Sequence, residues 1–265
     1  MAFADGGAIL LCGGFTQDGT TGTILRIVVA DGTAVVAGKL TSPVHDAAAA
    51  LLGGSMIIVG GGRVTAESTV QQVSASGGAP ADSTVTGRLP APRADAVAVS
   101  FGTELIILGG GANGAFDRTV LASSDGAHFR SIGDLPIGLR YATAAALGGS
   151  IYIFGGTGPA GDVATIEAID VGTGTVRHVG NLPRALSHAA AVVIDGRLFL
   201  AGGRHAGKAV DTILEFDPAT GQTATVGHLP LAVSDMAAVV VGRAAYLIGG
   251  EAGGLLSTIM ILTPG

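Results

Sequence analysis

Short apolar runs that close on a pair of glycines recur six times in this chain: AILLCGG, SMIIVGG, ELIILGG, SIYIFGG, RLFLAGG and AAYLIGG. The pairs are Gly13-Gly14, Gly60-Gly61, Gly109-Gly110, Gly155-Gly156, Gly202-Gly203 and Gly249-Gly250. Their successive spacings are 47, 49, 46, 47 and 47 residues. Such regularity restricts the chain to an array of one structural unit.

Other marks keep step with the glycines. Thr followed by Ile or Val comes nine or ten residues after the first Gly of each pair, at Thr23, Thr69, Thr119, Thr165, Thr212 and Thr258. A Gly-x-Leu step comes next, at Gly38-Leu40, Gly87-Leu89, Gly133-Leu135, Gly180-Leu182 and Gly227-Leu229. Six residues after each Leu an Ala-rich run begins: DAAAALL, DAVAVSF, YATAAAL, HAAAVVI and DMAAVVV. Each unit thus reads as four short segments rich in Val, Ile, Leu and Thr, separated by turn residues, which favours strands over helices. A four-stranded unit of this length, repeated around an axis, is a β-propeller blade. The Ala-rich strand is expected innermost, where strands crowd. The strand before the Gly pair is apolar on both faces because neighbouring blades cover both. The more polar fourth segment belongs at the rim.

Composition agrees. The 265 residues include 45 Gly, are 48% hydrophobic and only 13% charged, with a mean hydropathy of +0.57. The charge-free stretch between Asp46 and Arg63 is 16 residues long and holds five glycines. It is too short and broken for a spanning helix, which needs about 20 apolar residues. Disorder is excluded by the apolar content, and collagen by the absence of a three-residue Gly period. Net charge is -6 and Lys occurs only at Lys39 and Lys208, so no basic patch invites nucleic acid. Cys12 is the only cysteine, so no intrachain disulfide forms. It occupies a core position shared with Val59, Leu108, Phe154, Ala201 and Ile248, and is read as a small buried apolar residue. The N-terminal segment has no basic start and no cleavage site. An Ala/Gly/Val/Arg-rich, Lys-poor composition suggests a bacterial source.

The Gly pair after an apolar strand, with segments such as LEFDPATGQTATVGHLP, resembles the kelch repeat over almost the whole chain. The resemblance implies a six-bladed kelch-type β-propeller with four-stranded antiparallel blades. Two departures stand out. No Trp occupies the fourth strand, and the Arg often found soon after the Leu-Pro step is present only as Arg93, with Val44, Leu139, Leu186 and Val233 elsewhere. Galactose oxidase is a kelch-propeller enzyme, but its copper centre needs a Tyr-Cys crosslink that Cys12 is badly placed to make. Bacterial sialic-acid mutarotases, six-bladed kelch proteins, are the better enzyme analogy, one that rests on fold alone.

Six full units would need about 282 residues at about 47 each. The shortfall falls on the outer strand of the sixth blade and on the lead-in to the first inner strand. Residues 1–265 are therefore expected to form one propeller domain whose last blade lacks its outer strand, as part of a longer parent protein. An extracytoplasmic setting, secreted or membrane-anchored, is preferred to a cytoplasmic one.

Unusual polar residues collect where inner strands begin and where the chain leaves the Gly pairs. The opening position of the inner strand holds Asp46, Asp95, Tyr141, His188 and Asp235, preceded by His45, Ala94, Arg140, Ser187 and Ser234. Arg63, Asn113, Arg204, His205 and Glu251 follow the Gly pairs. From these, and with Arg93 two residues before Asp95, Asp46, Arg93, Asp95, Arg140, Tyr141, His188, Arg204 and Asp235 are the candidate lining of a ligand-binding funnel. A small polar ligand, a sugar or a peptide or protein loop is the expected partner, with no metal, cofactor or catalytic residue assigned. The competing reading is structural: residues that open inner strands bond the neighbouring blade's backbone. An Asp–His pair, Asp235 or Asp46 with His188, would supply acid–base chemistry if the groups lie within hydrogen-bond reach. The function expected is a non-catalytic binding or sensor module of a larger bacterial protein, the alternative a carbohydrate-active mutarotase or isomerase.

Overall fold

The computed structural model describes residues 1–74 and 82–264. Among these there are strands and no α-helix, and hence no helix long and apolar enough to cross a membrane. The fold class is a six-bladed β-propeller: five four-stranded antiparallel sheets and a sixth of three strands. The chain divides into two compact units, Met1–Ser131 and Ile132–Gly265.

In the first unit, blade 1 comprises Ala2–Asp5, Ala8–Thr16, Gly19–Val28 and Ala34–Lys39. Blade 2 comprises Ala48–Leu52, Ser55–Val59, Thr69–Ser74 and Thr84–Arg88. Blade 3 comprises Ala94–Phe101, Glu104–Gly111, Thr119–Ser123 and Arg130–Asp134, the last strand crossing the unit boundary. In the second unit, blade 4 comprises Thr143–Leu147, Ser150–Phe154, Thr165–Asp170 and Thr175–Asn181. Blade 5 comprises Ala190–Ile194, Arg197–Ala201, Thr212–Asp217 and Gln222–His228. Blade 6 has only Ala237–Val241, Ala244–Ile248 and Ile259–Leu262. The expected loss of the outer strand from the last blade is what the structure shows.

The sequence pattern explains this order. First strands pack on one another from blade to blade, Ala48–Leu52 on Ala94–Phe101 and Ala190–Ile194 on both Thr143–Leu147 and Ala237–Val241. Alanines at these positions let the backbones approach. Second strands are buried on both faces: every residue of Ser55–Val59 is buried, as is every residue of Glu104–Gly111 after the first. A buried Ile or Leu contributes about 1.5–3 kcal/mol each, so these strands anchor the blades. Fourth strands are largely solvated. Cys12 is fully buried, and burial pushes its thiol up to about 11.

The Gly pair is a joint between blades. The second glycine donates its N–H to a carbonyl of the next blade's lead-in: Gly14 to Val44 (2.9 Å), Gly61 to Arg93 (2.9 Å), Gly156 to Leu186 (2.8 Å) and Gly203 to Val233 (2.8 Å). The first glycine lies under the same carbonyl. A Cβ at Gly13 would sit 2.7 Å from Val44 O, and one at Gly60, Gly155 or Gly202 would strike the corresponding oxygen of Arg93, Leu186 or Val233. These first glycines also have φ between 55° and 62°. Both demands exclude a side chain. At three of these joints the Leu of the Gly-x-Leu step closes the space: Leu40 lies beside Gly13, Leu182 beside Gly155 and Leu229 beside Gly202.

Candidate functional site

The five residues that open inner strands share one backbone conformation. Asp46, Asp95, Tyr141, His188 and Asp235 have φ of 53°, 58°, 55°, 57° and 61°. This left-handed region is costly for residues with a Cβ and least so for Gly, Asn and Asp, which accounts for Asp at three of the five. In three of them the amide meets the preceding blade. Asp95 N–H bonds Asp46 O (2.9 Å), His188 N–H bonds Tyr141 O (2.9 Å) and Asp235 N–H bonds His188 O (3.0 Å). Repetition at this position therefore has a backbone cause. The residues before them pair with the chain leaving the Gly pair, as His45 with Gly62, Arg140 with Thr157, Ser187 with Arg204 and Ser234 with Glu251. Opening residues and post-glycine residues of one blade do share an end.

Within Met1–Ser131 the predicted residues separate. Arg93 was expected in the funnel, but it is 2% exposed. Its guanidinium donates to Gly109 O (3.0 Å) and Thr119 O (3.3 Å) and pairs with Asp117 (2.8 Å). Burial lowers its pKa, and Asp117 opposes that shift. Its side chain is committed to bonds within blade 3, while its backbone carbonyl takes the Gly61 amide of blade 2. Asp95 is buried, whereas Asp46 is exposed and lies 3.6 Å from His45 Nε2. Thr20 Oγ1 bonds His45 Nδ1 (2.8 Å), and the Phe15 ring meets His45 edge-on at 5.2 Å. Sequence reasoning missed Thr20 and Phe15. Their position just after the first Gly pair was the available signal.

Within Ile132–Gly265 all five predicted residues converge. The Tyr141 and His188 rings stack with centroids 4.0 Å apart and planes at 19°. Arg140 donates to the Tyr141 hydroxyl (3.2 Å) and lies 5.2 Å from the centre of that ring. On the other side His188 Nδ1 is 2.5 Å from Asp235 Oδ1. Asp235 Oδ2 accepts from Ser234 Oγ (2.6 Å) and pairs with Arg204 (3.0 Å). Arg204 in turn donates to Ser234 Oγ (2.9 Å) and reaches Glu251 (2.5 Å). Burial alone would raise the Asp235 carboxyl. Hydrogen bonds from His188 and Ser234, with the charges of His188 and Arg204, outweigh burial and hold it below the usual carboxylate range. Arg140, Tyr141, His188, Asp235, Arg204 and Glu251 thus form one connected row across blades 4 to 6.

The row can hold a polar ligand by hydrogen bonds and ring contact. Arg204 is matched by two carboxylates, so the row presents no strong excess of one charge. Asp235 and His188 have acid–base geometry. Among the described residues no group of three or more His, Cys, Asp or Glu is arranged to hold a metal ion. His205 belongs to a different contact, its Nδ1 2.9 Å from Ala185 O. A concavity of about 270 Å³ lies elsewhere in this unit, lined by Pro183, Arg184, Val210, Thr212 and Thr225 among others, and none of the row lines it.

A family model described as the KLHDC2/KLHL20/DRC7 Kelch-repeats domain matches residues 81–250. No curated protein matches the chain.

Proposed function

Because the chain belongs to the kelch-repeat family, we propose that it is a non-catalytic binding module whose ligand meets the row from Arg140 to Glu251. The observation that carries this reading is the stacked Tyr141–His188 pair, held at one end by Arg140 and at the other by Asp235. Aromatic faces beside fixed hydrogen-bonding groups suit a ligand with both apolar and polar edges. Because Arg204 is neutralised by Asp235 and Glu251, the preferred partner is a neutral polar group, a sugar or the amides of a peptide loop. Kelch propellers commonly bind proteins, which favours the loop. A sensor role within a larger extracytoplasmic bacterial protein remains part of the same proposal. Arg93 is left out of the site because its guanidinium is already bonded within the fold.

The test is a thermal-shift screen of the chain against sugars, amino acids and short peptides, repeated on Arg140→Ala, Tyr141→Ala and His188→Ala. A ligand that raises the melting temperature of the parent chain should lose that effect in the variants. A shift that survives all three changes removes the site from this row.

One observation favours a second reading. His188 and Asp235 stand at 2.5 Å, the pairing a general acid–base catalyst needs. On that reading the protein is a sugar mutarotase or isomerase. Anomer exchange followed by NMR should then exceed the uncatalysed rate and drop to it in His188→Ala; no acceleration in the parent chain ends this alternative.

A further inference from the structure

The concavity of about 270 Å³ in the second unit lies between the lead-in to blade 5 and the outer strands of that blade, against Arg184, Val210, Thr212, Leu214 and Thr225. The repeat gives it an occupied counterpart in blade 2. Leu214 stands two residues after Thr212, and Gln71 two residues after Thr69. Each pairs with the matching fourth-strand residue, Leu214 with Thr225 and Gln71 with Val85. Arg184 stands two residues after Leu182, as Ser42 stands two residues after Leu40.

In blade 2 the Gln71 side chain fills this place and is 2% exposed. Its Oε1 accepts from the Ser42 N–H (2.9 Å) and from Ser83 Oγ (2.9 Å), and its Nε2 donates to Ser42 O (2.9 Å). One carboxamide thereby satisfies both main-chain groups of Ser42, which takes a donor and an acceptor side by side.

In blade 5 the main-chain half of this arrangement persists without the carboxamide. The two lead-ins are pinned by the same bonds. Leu40 N–H meets Gly22 O (2.6 Å) and Val44 O takes the Gly14 amide (2.9 Å); Leu182 N–H meets Ala164 O (2.7 Å) and Leu186 O takes the Gly156 amide (2.8 Å). Arg184 therefore presents its N–H and C=O from the place that Ser42 holds. Among the described residues neither group has a partner in the chain. Leu214 ends in methyl groups and cannot bond them. Val210 replaces Glu67, which accepts from Ser42 Oγ in blade 2 (3.3 Å), so this wall of the cavity is apolar. The Arg184 guanidinium is turned to Thr212 Oγ1 (2.8 Å).

We propose that this cavity binds a primary carboxamide, the group of a small organic amide or of a glutamine side chain. The amide oxygen accepts from the Arg184 N–H, the NH₂ donates to Arg184 O, and the alkyl part lies against Val210 and Leu214. Apolar walls with one convergent pair of polar groups are what a small-ligand pocket requires. The site is separate from the row that runs from Arg140 to Glu251, none of which lines it.

Butyramide titrated into the ¹⁵N-labelled chain should shift the Arg184 amide saturably. Butyrate has the same shape but no donor for Arg184 O, and should bind at least about tenfold more weakly. N-acetylglutamine methylamide should shift the same amide, and whichever amide binds more tightly identifies the source as polypeptide or free molecule. Leu214→Gln supplies the carboxamide from within, as Gln71 does, and should abolish the butyramide response while keeping the melting temperature at or above the parent value. Thr225→Trp, at an exposed strand position, should block the cavity without unfolding the blade and also abolish the response. No saturable shift with butyramide, butyrate binding as tightly, or an undiminished response in either folded variant overturns the proposal.

Discussion

His188 and Asp235 occupy equivalent positions in successive blades, 47 residues apart, and are joined twice. The Asp235 amide donates to the His188 carbonyl at 3.0 Å, and the His188 ring meets the Asp235 carboxylate at 2.5 Å. The backbone bond is shared with other blades, whereas the ring–carboxylate bond is particular to this pair.

The carboxylate bond has a pH signature. The folded-state pKa of Asp235 is depressed, so its contribution is complete above the unfolded value and is lost as pH falls through the lower folded value. Asp235→Asn keeps a residue that tolerates left-handed φ and removes the charge. Urea unfolding should show a loss of about 1 kcal/mol at pH 7, shrinking towards zero at low acid pH. A difference that does not change between pH 7 and pH 2 would contradict the assignment.

Tyr141 sits at a backbone position that does not suit it, with φ of 55°. Tyr141→Asn should relieve backbone strain while giving up the stack on His188 and the bond from Arg140. The two effects are each of order 1 kcal/mol and opposed, so the melting temperature should move little while ligand response is lost. A large destabilisation would make Tyr141 a structural residue.

Two glycines of similar φ separate steric from conformational cost. Gly202 (φ 62°) lies under the Val233 carbonyl, whereas Gly207 (φ 75°) has nothing within 4 Å of its would-be Cβ. Gly207→Ala should cost about 1–2 kcal/mol, the price of the left-handed conformation alone. Gly202→Ala should cost about 3 kcal/mol or more, since the blade joint must also shift. Equal losses in denaturant titrations would remove the joint as the cause.

Arg93 stands where the other blades have Val44, Leu139, Leu186 and Val233, all buried. Arg93→Leu alone should cost about 3 kcal/mol because it strips the partly buried Asp117 of its cation. Adding Asp117→Ala should recover much of that loss, as buried pairs replaced whole by apolar residues are close to neutral. A double variant no more stable than the single one would show that the guanidinium's bonds to Gly109 and Thr119 dominate.

The architecture was legible because each blade must repeat the same demands. A neighbour's carbonyl over Gly13 or Gly202 leaves room for no side chain, so the demand is written into the sequence as a Gly pair. The open edge of blade 6 was legible for the same reason, through the step that does not recur after Thr258. The convergence of Tyr141, His188 and Asp235 was legible by position, because it follows from their common place in the repeat. The left-handed backbone of those residues was not, because Tyr and His do not announce it as Gly would. Nor was the inward turn of Arg93, since an Arg after a Leu-Pro step reads alike whether it meets solvent or the carbonyl of Gly109.

The blade joint built from Gly156 and Leu186, or Gly203 and Val233, consists of an amide and a carbonyl. What the two partners must preserve is therefore spacing and the lack of a side chain on one glycine, not the identity of any polar group. Residues at the open ends of the strands can then be exchanged one blade at a time, and recognition can drift to new chemistry while the scaffold beneath it stays in register.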